Sequence, residues 1–415
     1  MKLRLTALIF AVMMLFSGCE FLEAIKGASP SAEDAVDLGN IDDSFVERNG
    51  VGYAWSKLDD GEKANLAAIV NSLKNYEEHC ELPVSIPGDE IWDFVNFAYD
   101  CAAEYVYINR LGKTTAYKEE SGDVVAIDIP FDKNLAKNPG EAEGVIRVLE
   151  ERIDEIIAGM PKRSDWDKIK YLHDYIVLNC TYDLESKNCN TAYGALIDGK
   201  AACQGYADAL QLLLARAGFE ICNVMDNGNS EGTRHCWNLV KLSDGGWYNI
   251  DCTWDDPIGR DPDFINYEYF LISDADILID HEPPKPCRYY DYPAADSDEM
   301  SYYSVTSNFC TTYEEVYAAV ERQVNECVEK EQRYVYIRMS DEELYNDVCK
   351  RFFSADAMHD GSKRLYNILE GIVQRTGARI DPNTWYYSMG YADGKGRFTT
   401  IITIAYRAVI APMGN

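Results

Sequence analysis

The sequence predicts an α+β fold, and three observations carry the prediction. An apolar helical stretch, Ala207 to Ala217, begins just behind a cysteine, Cys203. Two strand-like segments, 235–242 and 247–254, follow it and are joined by Ser243-Asp244-Gly245-Gly246. A helix-rich stretch precedes this part, and a smaller alternation of helices and strands follows it. At 415 residues the chain is too long for one ordinary core, so several domains are expected.

In chain order, residues 1–18 read as a signal peptide. Lys2 and Arg4 form a basic start, and Leu5 to Phe16 form an apolar run too short to span a bilayer comfortably. The run closes on Phe16-Ser17-Gly18-Cys19, which resembles a bacterial lipobox, with Phe16 where Leu is usual. That resemblance implies acylation of Cys19 and a lipid anchor on the outer face of a bacterial membrane. Residues 19–45, with Gly27, Ser29, Pro30, Ser31 and many acids, read as a tether.

Residues 46–160 read as a mostly helical domain. Its helices are expected over Gly61–Tyr76, Asp89–Tyr105 and Gly140–Ala158, and strand-like pieces at Tyr105–Ile108 and Val124–Ile127. Residues 161–287 carry the motifs. A Tyr-, Asp- and Pro-rich linker, 288–303, leads to a small α+β domain, 304–415. There helices are expected over Tyr313–Lys330, from Asp341 and from Ser362, with a strand at Tyr334–Met339. A hairpin is expected from Trp385–Tyr391 and Arg397–Tyr406. His359 in this domain is isolated and carries no chemistry.

The composition narrows the partners. The net charge is −31, so the surface repels phosphate backbones and nucleic acid is excluded as a partner. There are 13 cysteines. Without Cys19 and Cys203 an odd number remains, so disulfide pairing within one chain cannot be complete. There is no Cys-x-x-Cys pair to suggest structural zinc.

The chemistry centres on Cys203. Ala207 to Ala217 carries Leu210, Leu212, Leu213 and Leu214, and Gly218 closes it. Cys203 therefore stands at a helix N-terminus, where unpaired amides favour a thiolate and can also stabilise an oxyanion. A base has to come from the hairpin, and register decides whether it can. A loop of even length puts His235 and Asp251 on opposite faces. A loop of three, Ser243 to Gly245, pairs Leu242 with Gly246 and Trp237 with Asp251. His235 and Asp251 are then diagonal neighbours on one face, with Cα atoms roughly 7–8 Å apart. Such loops want a left-handed residue last, and Gly245 supplies it. A histidine oriented by a carboxylate activates a thiol. The same register sets Cys236 opposite Cys252, which leaves two readings open, a cross-strand disulfide and two small buried thiols.

The blocks Gly199-Lys200-Ala201-Ala202-Cys203-Gln204-Gly205-Tyr206, His235-Cys236-Trp237-Asn238 and Trp247-Tyr248-Asn249-Ile250-Asp251-Cys252-Thr253-Trp254-Asp255 together resemble the transglutaminase-like superfamily. So do Lys168–Ile176 with Tyr182-Asp183, and Thr191–Leu196. The resemblance implies a papain-like architecture, with a Cys-bearing helix packed on an antiparallel sheet. It implies acyl transfer through a thioester on Cys203, with His235 as base and Asp251 as its orienting carboxylate. It also implies that no metal or cofactor takes part. Tyr182 and Gln204 are the candidate oxyanion donors. Trp237 and Trp254 are expected as cleft walls or core. Asp255 and Asp256 are expected to end the strand and cap the next turn, and His173 to face outward from its helix. The resemblance implies a protein or peptide substrate, cell-wall peptide included, as a protease, amidase or cross-linking transglutaminase. The alternative is a non-catalytic adhesion or scaffold module on the same fold.

Overall fold

A computed structural model describes residues 43–230, 232–258, 261–353, 364–376, 380–390 and 397–406. The signal peptide, Cys19, most of the tether, His359 and the hairpin loop 392–396 lie outside the described residues. The chain forms two compact units. One holds the described residues up to Asp274 together with His281–Ser297, and the other holds Ala275–Asp280 and the rest from Asp298.

The first unit opens with α1 (Asp43–Asn49), α2 (Gly52–Lys57) and α3 (Asp60–Lys74). Asp59 starts α3 through a reciprocal cap: its carboxylate accepts from the Glu62 amide, and the Glu62 carboxylate accepts from the Asp59 amide. Next come β1 (His79–Ile86), α4 (Ile91–Cys101), β2 (Thr115–Lys118) and β3 (Val124–Asp128), the strands forming an antiparallel sheet in the order β1-β3-β2. Leu66, Ile69, Leu73, Phe94 and Ile127 are fully buried in this part. The expected mostly helical domain therefore contains a sheet. Strand β1 alternates only from His79 to Leu82 before Pro83 interrupts it, and β2 has only four residues, so neither gives a long alternation. Tyr105–Ile108, read as a strand, is a run of turns. All four residues are buried, and only Ile108 makes a bridge, to Phe131. Burial on every side mimics the apolar run of a strand.

Helices α5 (Pro139–Ala158) and α6 (Asp165–Asn179) are capped by Asn138 and Ser164. Short strands β4 (Thr181–Tyr182) and β5 (Lys200–Ala201) pair in parallel on either side of a π-helical turn, Gly194–Asp198. Helix α7 (Cys203–Arg216) follows, and its residues from Gln204 to Ala215 are all buried. The antiparallel sheet β6 (Glu220–Met225), β7 (Cys236–Lys241), β8 (Trp247–Ile250), β9 (Phe270–Ile272) packs on it in sequence order. This is the α+β arrangement expected, a cysteine-bearing helix on an antiparallel sheet. Residues 46–160 and most of 161–287, read as two domains, lie within one compact unit. Part of the expected linker belongs there too, because Tyr289 and Tyr290 pack against the core formed by α3 and α4.

The last elements are α8 (Asp274–Ile277), α9 (Tyr302–Val305), β10 (Phe309–Cys310), α10 (Tyr313–Lys330), β11 (Tyr334–Met339), α11 (Glu342–Val348), α12 (Arg364–Thr376), β12 (Ile380–Gly390) and β13 (Phe398–Tyr406). The sheet order in the second unit is β10-β11-β13-β12. Helix α10 and strand β11 have the bounds read from sequence, and β12 pairs with β13 as the expected hairpin. Inside this unit Arg338 grips Asp276 through two 2.6 Å bonds. Among the described residues no helix is long and apolar enough to cross a membrane.

Candidate active site

Cys203 is the first residue of α7. The preceding Ala202 is extended and has no capping side chain, so the amides of the first turn are not taken by a cap. The entry to the helix is pinned from behind. The Ala202 amide donates to Cys189 O at 2.8 Å, and β5 holds Ala201 beside Tyr182. Cys203 is half-buried.

The hairpin places the base. The β7–β8 ladder pairs Lys241 with Trp247 and Asn238 with Ile250. Leu242 and Gly246 close it, and Gly245 has φ +90°. This is the three-residue loop that puts His235 and Asp251 on one face. His235 Nε2 lies 2.6 Å from Asp251 Oδ2. The Cys203 sulfur borders the same ring. The backbone of His235 is clamped as well: its amide donates to Asp226 Oδ1, and its carbonyl accepts from the Asp226 amide, both at 2.9 Å.

Asp251 is 1 % exposed and its acceptors are filled. Oδ1 takes the amides of Thr253 at 2.8 Å and Trp254 at 3.2 Å. Oδ2 takes His235 and also His281, whose Nε2 is 3.0 Å away. His281 was not legible as a site residue. It arrives on the segment after α8, where Lys285 donates to Met225 O and Asn227 to Pro283 O. No motif marks it in sequence. Trp254 covers its ring at 4.2 Å, Trp237 stands edge-on at 5.1 Å and Tyr269 is tilted to it at 5.2 Å.

The electrostatics separate charge along the chain of bonds. The neighbouring Cys236 draws the Cys203 thiol well below its ordinary range; burial opposes this and His235 reinforces it. Burial works against charge on His235, yet the Asp251 carboxylate and the Cys203 sulfur push it up to about 10. Burial also opposes charge on Asp251, but the two imidazoles hold its carboxyl well below the usual carboxylate range. All three shifts run in the direction of the charged form: thiolate on Cys203, imidazolium on His235 and carboxylate on Asp251.

Residues 151–252 match the Transglutaminase-like superfamily. The match ends just past Asp251 and takes in Cys203 and His235. Similar solved structures include one described as a TGase, 17% identical, with 44% of this chain and 52% of that chain covered and a TM-score of 0.24. Another is a candidate cysteine protease from Cytophaga hutchinsonii, 12% identical, with 34% and 61% covered and a TM-score of 0.22. The chain thus spans less than two thirds of the length of either. No curated protein matches.

The other sequence candidates fall around this site in different ways. Tyr182 stands close to it: burial, with the Cys203 and Cys236 sulfurs nearby, raises its hydroxyl. The Gln204 side chain is engaged elsewhere. Its Nε2 donates to Asp208 Oδ1 at 2.8 Å, and its Oε1 faces the Cys236 thiol at 3.7 Å. Trp237 is core, donating to Asn249 Oδ1 at 2.8 Å, whereas Trp254 is 37 % exposed and walls the site.

Three expectations need correction. The Cys236–Cys252 disulfide is not formed, and both thiols are free and buried. The ladder stops at Asn238–Ile250, and Asp251 bonds instead to Tyr269 O, so Cys252 leaves the strand before it can oppose Cys236. Cys236 faces Cys203. His173 does not face outward. It is fully buried, with Nε2 3.0 Å from Asp255 Oδ2 and Nδ1 3.1 Å from Asp174 Oδ1. Asp255 also accepts the Tyr269 amide, so it ties α6 to the segment before β9 rather than capping a turn. Among the described residues one group has ligand atoms close enough for a metal: His235, Asp251 and His281, within 4.8 Å. Their facing atoms already bond to one another.

Proposed function

We propose that this chain is a cysteine acyl-transfer enzyme that cleaves amide bonds through a thioester on Cys203. The observation that carries the reading is the 2.6 Å bond between His235 Nε2 and Asp251 Oδ2, on an imidazole that also borders the Cys203 sulfur. In the first half-reaction the Cys203 thiolate attacks the amide carbon. The oxygen gains negative charge beside the first-turn amides of α7 and the Tyr182 hydroxyl. His235, already an imidazolium, protonates the departing amine, and Asp251 keeps the ring oriented. In the second half-reaction His235 takes a proton from water or from a primary amine, and that acceptor frees Cys203.

Water as acceptor makes a peptidase or amidase, and a lysine amine makes a cross-linker. Acylation at Cys19 would hold the enzyme at the outer face of a membrane, with surface protein or wall peptide within reach. The net charge of −31 disfavours nucleic acid as a partner.

The test uses the full-length protein with a thiol-directed acyl probe, followed by a glutamine peptide offered with and without a primary amine. Labelling should require Cys203, and product masses should distinguish hydrolysis from amine transfer. Labelling that survives Cys203→Ala, or unchanged turnover in His235→Ala, sinks the reading. Feeding cells an alkyne-tagged fatty acid, with Cys19→Ala as control, tests the anchor separately.

A further inference from the structure

The turn that begins at Asp251 is anchored a second time, at its far end. Asp255 closes this turn by donating its amide to Asp251 O at 3.2 Å. Inside the turn stand Thr253 and Trp254, whose amides fill Asp251 Oδ1. Asp255 is fully buried and accepts on both oxygens: Oδ1 takes the Tyr269 amide at 3.1 Å, and Oδ2 takes His173 Nε2 at 3.0 Å. His173 is fully buried as well, on α6, with Nδ1 3.1 Å from Asp174 Oδ1. The other oxygen of Asp174 takes Lys170 and the Tyr267 hydroxyl. Tyr267 stacks on the His173 ring at 5.8 Å and Phe270 meets it edge-on at 5.1 Å, so the ring has little freedom to turn. The next residue of the turn, Asp256, takes the Tyr206 hydroxyl at 2.5 Å, and Tyr206 lies three residues past Cys203 on α7. The turn thus hangs between α6 and the helix that carries the nucleophile.

Each ring nitrogen of His173 faces a carboxylate oxygen. An ionised carboxylate only accepts, so the ring donates on both sides, and such charge-assisted bonds are short and strong. We propose that His173 is a positioning residue of the acyl-transfer site: from α6 it pins the Asp255 end of the turn and thereby sets Asp251 against His235. Its bond to Asp255 is the one that matters for this role, because only Asp255 belongs to the turn. Its bond to Asp174 joins neighbours on one helix and serves to fix the plane of the ring. When the Asp255 end swings free, the bond from the Asp255 amide to Asp251 O opens, and the amides of Thr253 and Trp254 move off Asp251 Oδ1. The carboxylate then turns, and the His235 ring turns with it. His173 touches neither Cys203 nor a substrate, and it acts on them only through this chain of bonds.

The inference rests on the proposed function only for its effect on turnover, so the turn is also read directly. In the full-length protein, hydrogen exchange of residues 251–256 is followed by mass, beside kcat and KM measured well below the melting range of each variant. In His173→Gln the side-chain amide nitrogen reaches the place of Nε2 and keeps the bond to Asp255. In His173→Asn it reaches only the place of Nδ1 and keeps the bond to Asp174. His173→Asn should speed exchange in the turn and lower kcat by about tenfold or more with KM little changed. His173→Gln should restore the protection and most of the kcat. Asp174→Asn, on the other side of the ring, should lower the melting point without opening the turn. Wild-type exchange and kcat in His173→Asn, or a loss in His173→Gln equal to that in His173→Asn, overturns the inference. If His173→Asn does not fold, the other two variants decide: a turn opened as far by Asp174→Asn as by His173→Gln, or further, overturns it. A turn that opens as expected in a protein that cleaves no amide removes the proposed function alone. Amide cleavage at the wild-type kcat with the turn opened removes this inference alone.

Discussion

His281 donates Nε2 to Asp251 Oδ2 at 3.0 Å, the same oxygen that receives His235 at 2.6 Å. An ionised carboxylate can only accept, so both ring nitrogens facing it carry protons. His281 therefore fixes the rotation of the Asp251 carboxylate, and through it the plane of the His235 ring. It touches neither Cys203 nor a substrate, so it is a positioning residue. His281→Ala should lower kcat by about tenfold to a hundredfold with KM little changed, the scale on which small misplacements act. His281→Gln, which keeps one donor, should recover part of the loss. Wild-type kcat in His281→Ala removes the role.

The charge separation at Cys203 has a pH signature. Its pKa lies below the ordinary thiol range, so its reaction with iodoacetamide should persist as the pH drops well under that of a free cysteine. The rate falls only when the thiolate itself is protonated. His235, pushed up to about 10, stays charged throughout that window. Asp251→Asn removes the carboxylate that favours the imidazolium, and the neutral ring no longer stabilises the thiolate. The midpoint of the alkylation profile should then move upward, toward about pH 8.5. An identical midpoint in the two proteins contradicts the ion pair.

How much of this site was legible depended on what local signals existed. Gly245 settled the loop length, the loop length settled the register, and the register brought His235 to Asp251. The apolar helix behind Cys203 and the bounds of α10 and β11 were equally local matters. His173 could have been placed correctly. With Ile169, Leu172 and Ile176 it completes one helical face, and all four are buried. His281 could not, because a crossing of the segment near Pro283 with the end of β6 delivers it, and no period encodes that crossing. The Cys236–Cys203 contact was missed for a related reason. The regular pairing that would set Cys236 opposite Cys252 ends at Ile250, and the backbone of Asp251 has already changed partner.

Gly245 offers a direct check on the register argument. At φ +90° a side chain is strained, although a Cβ there would meet nothing within 4 Å. The cost of Gly245→Ala is therefore conformational and should be about 1–2 kcal/mol. Urea unfolding should show a lower midpoint with an unchanged slope. Deleting Asp244 instead makes the loop even, forcing either a register slip or a broken turn, and should abolish acyl-probe labelling of Cys203. A deletion variant that labels like wild type contradicts the link between loop parity and the site.

Gly205 tests how the nucleophile is held. A Cβ at this position would stand 2.4 Å from Cys189 O, 2.8 Å from the Ala201 side chain and 2.9 Å from Thr191 O. Two of these atoms are backbone carbonyls that also anchor the turn before α7: Cys189 O takes the Ala202 amide and Thr191 O the Ala195 amide. They cannot yield as a flexible side chain would. Gly205→Ala must push the first turn of α7 away from them, and Cys203, two residues earlier, goes with it. The overpacking should cost about 1–3 kcal/mol of stability. The loss of activity should exceed what that destabilisation explains, because a displacement of about 1 Å can reduce turnover by about a hundredfold. Measuring kcat well below the melting range of the variant separates the two effects. A variant that is less stable but turns over normally there would mean that His235 follows Cys203 when the helix moves.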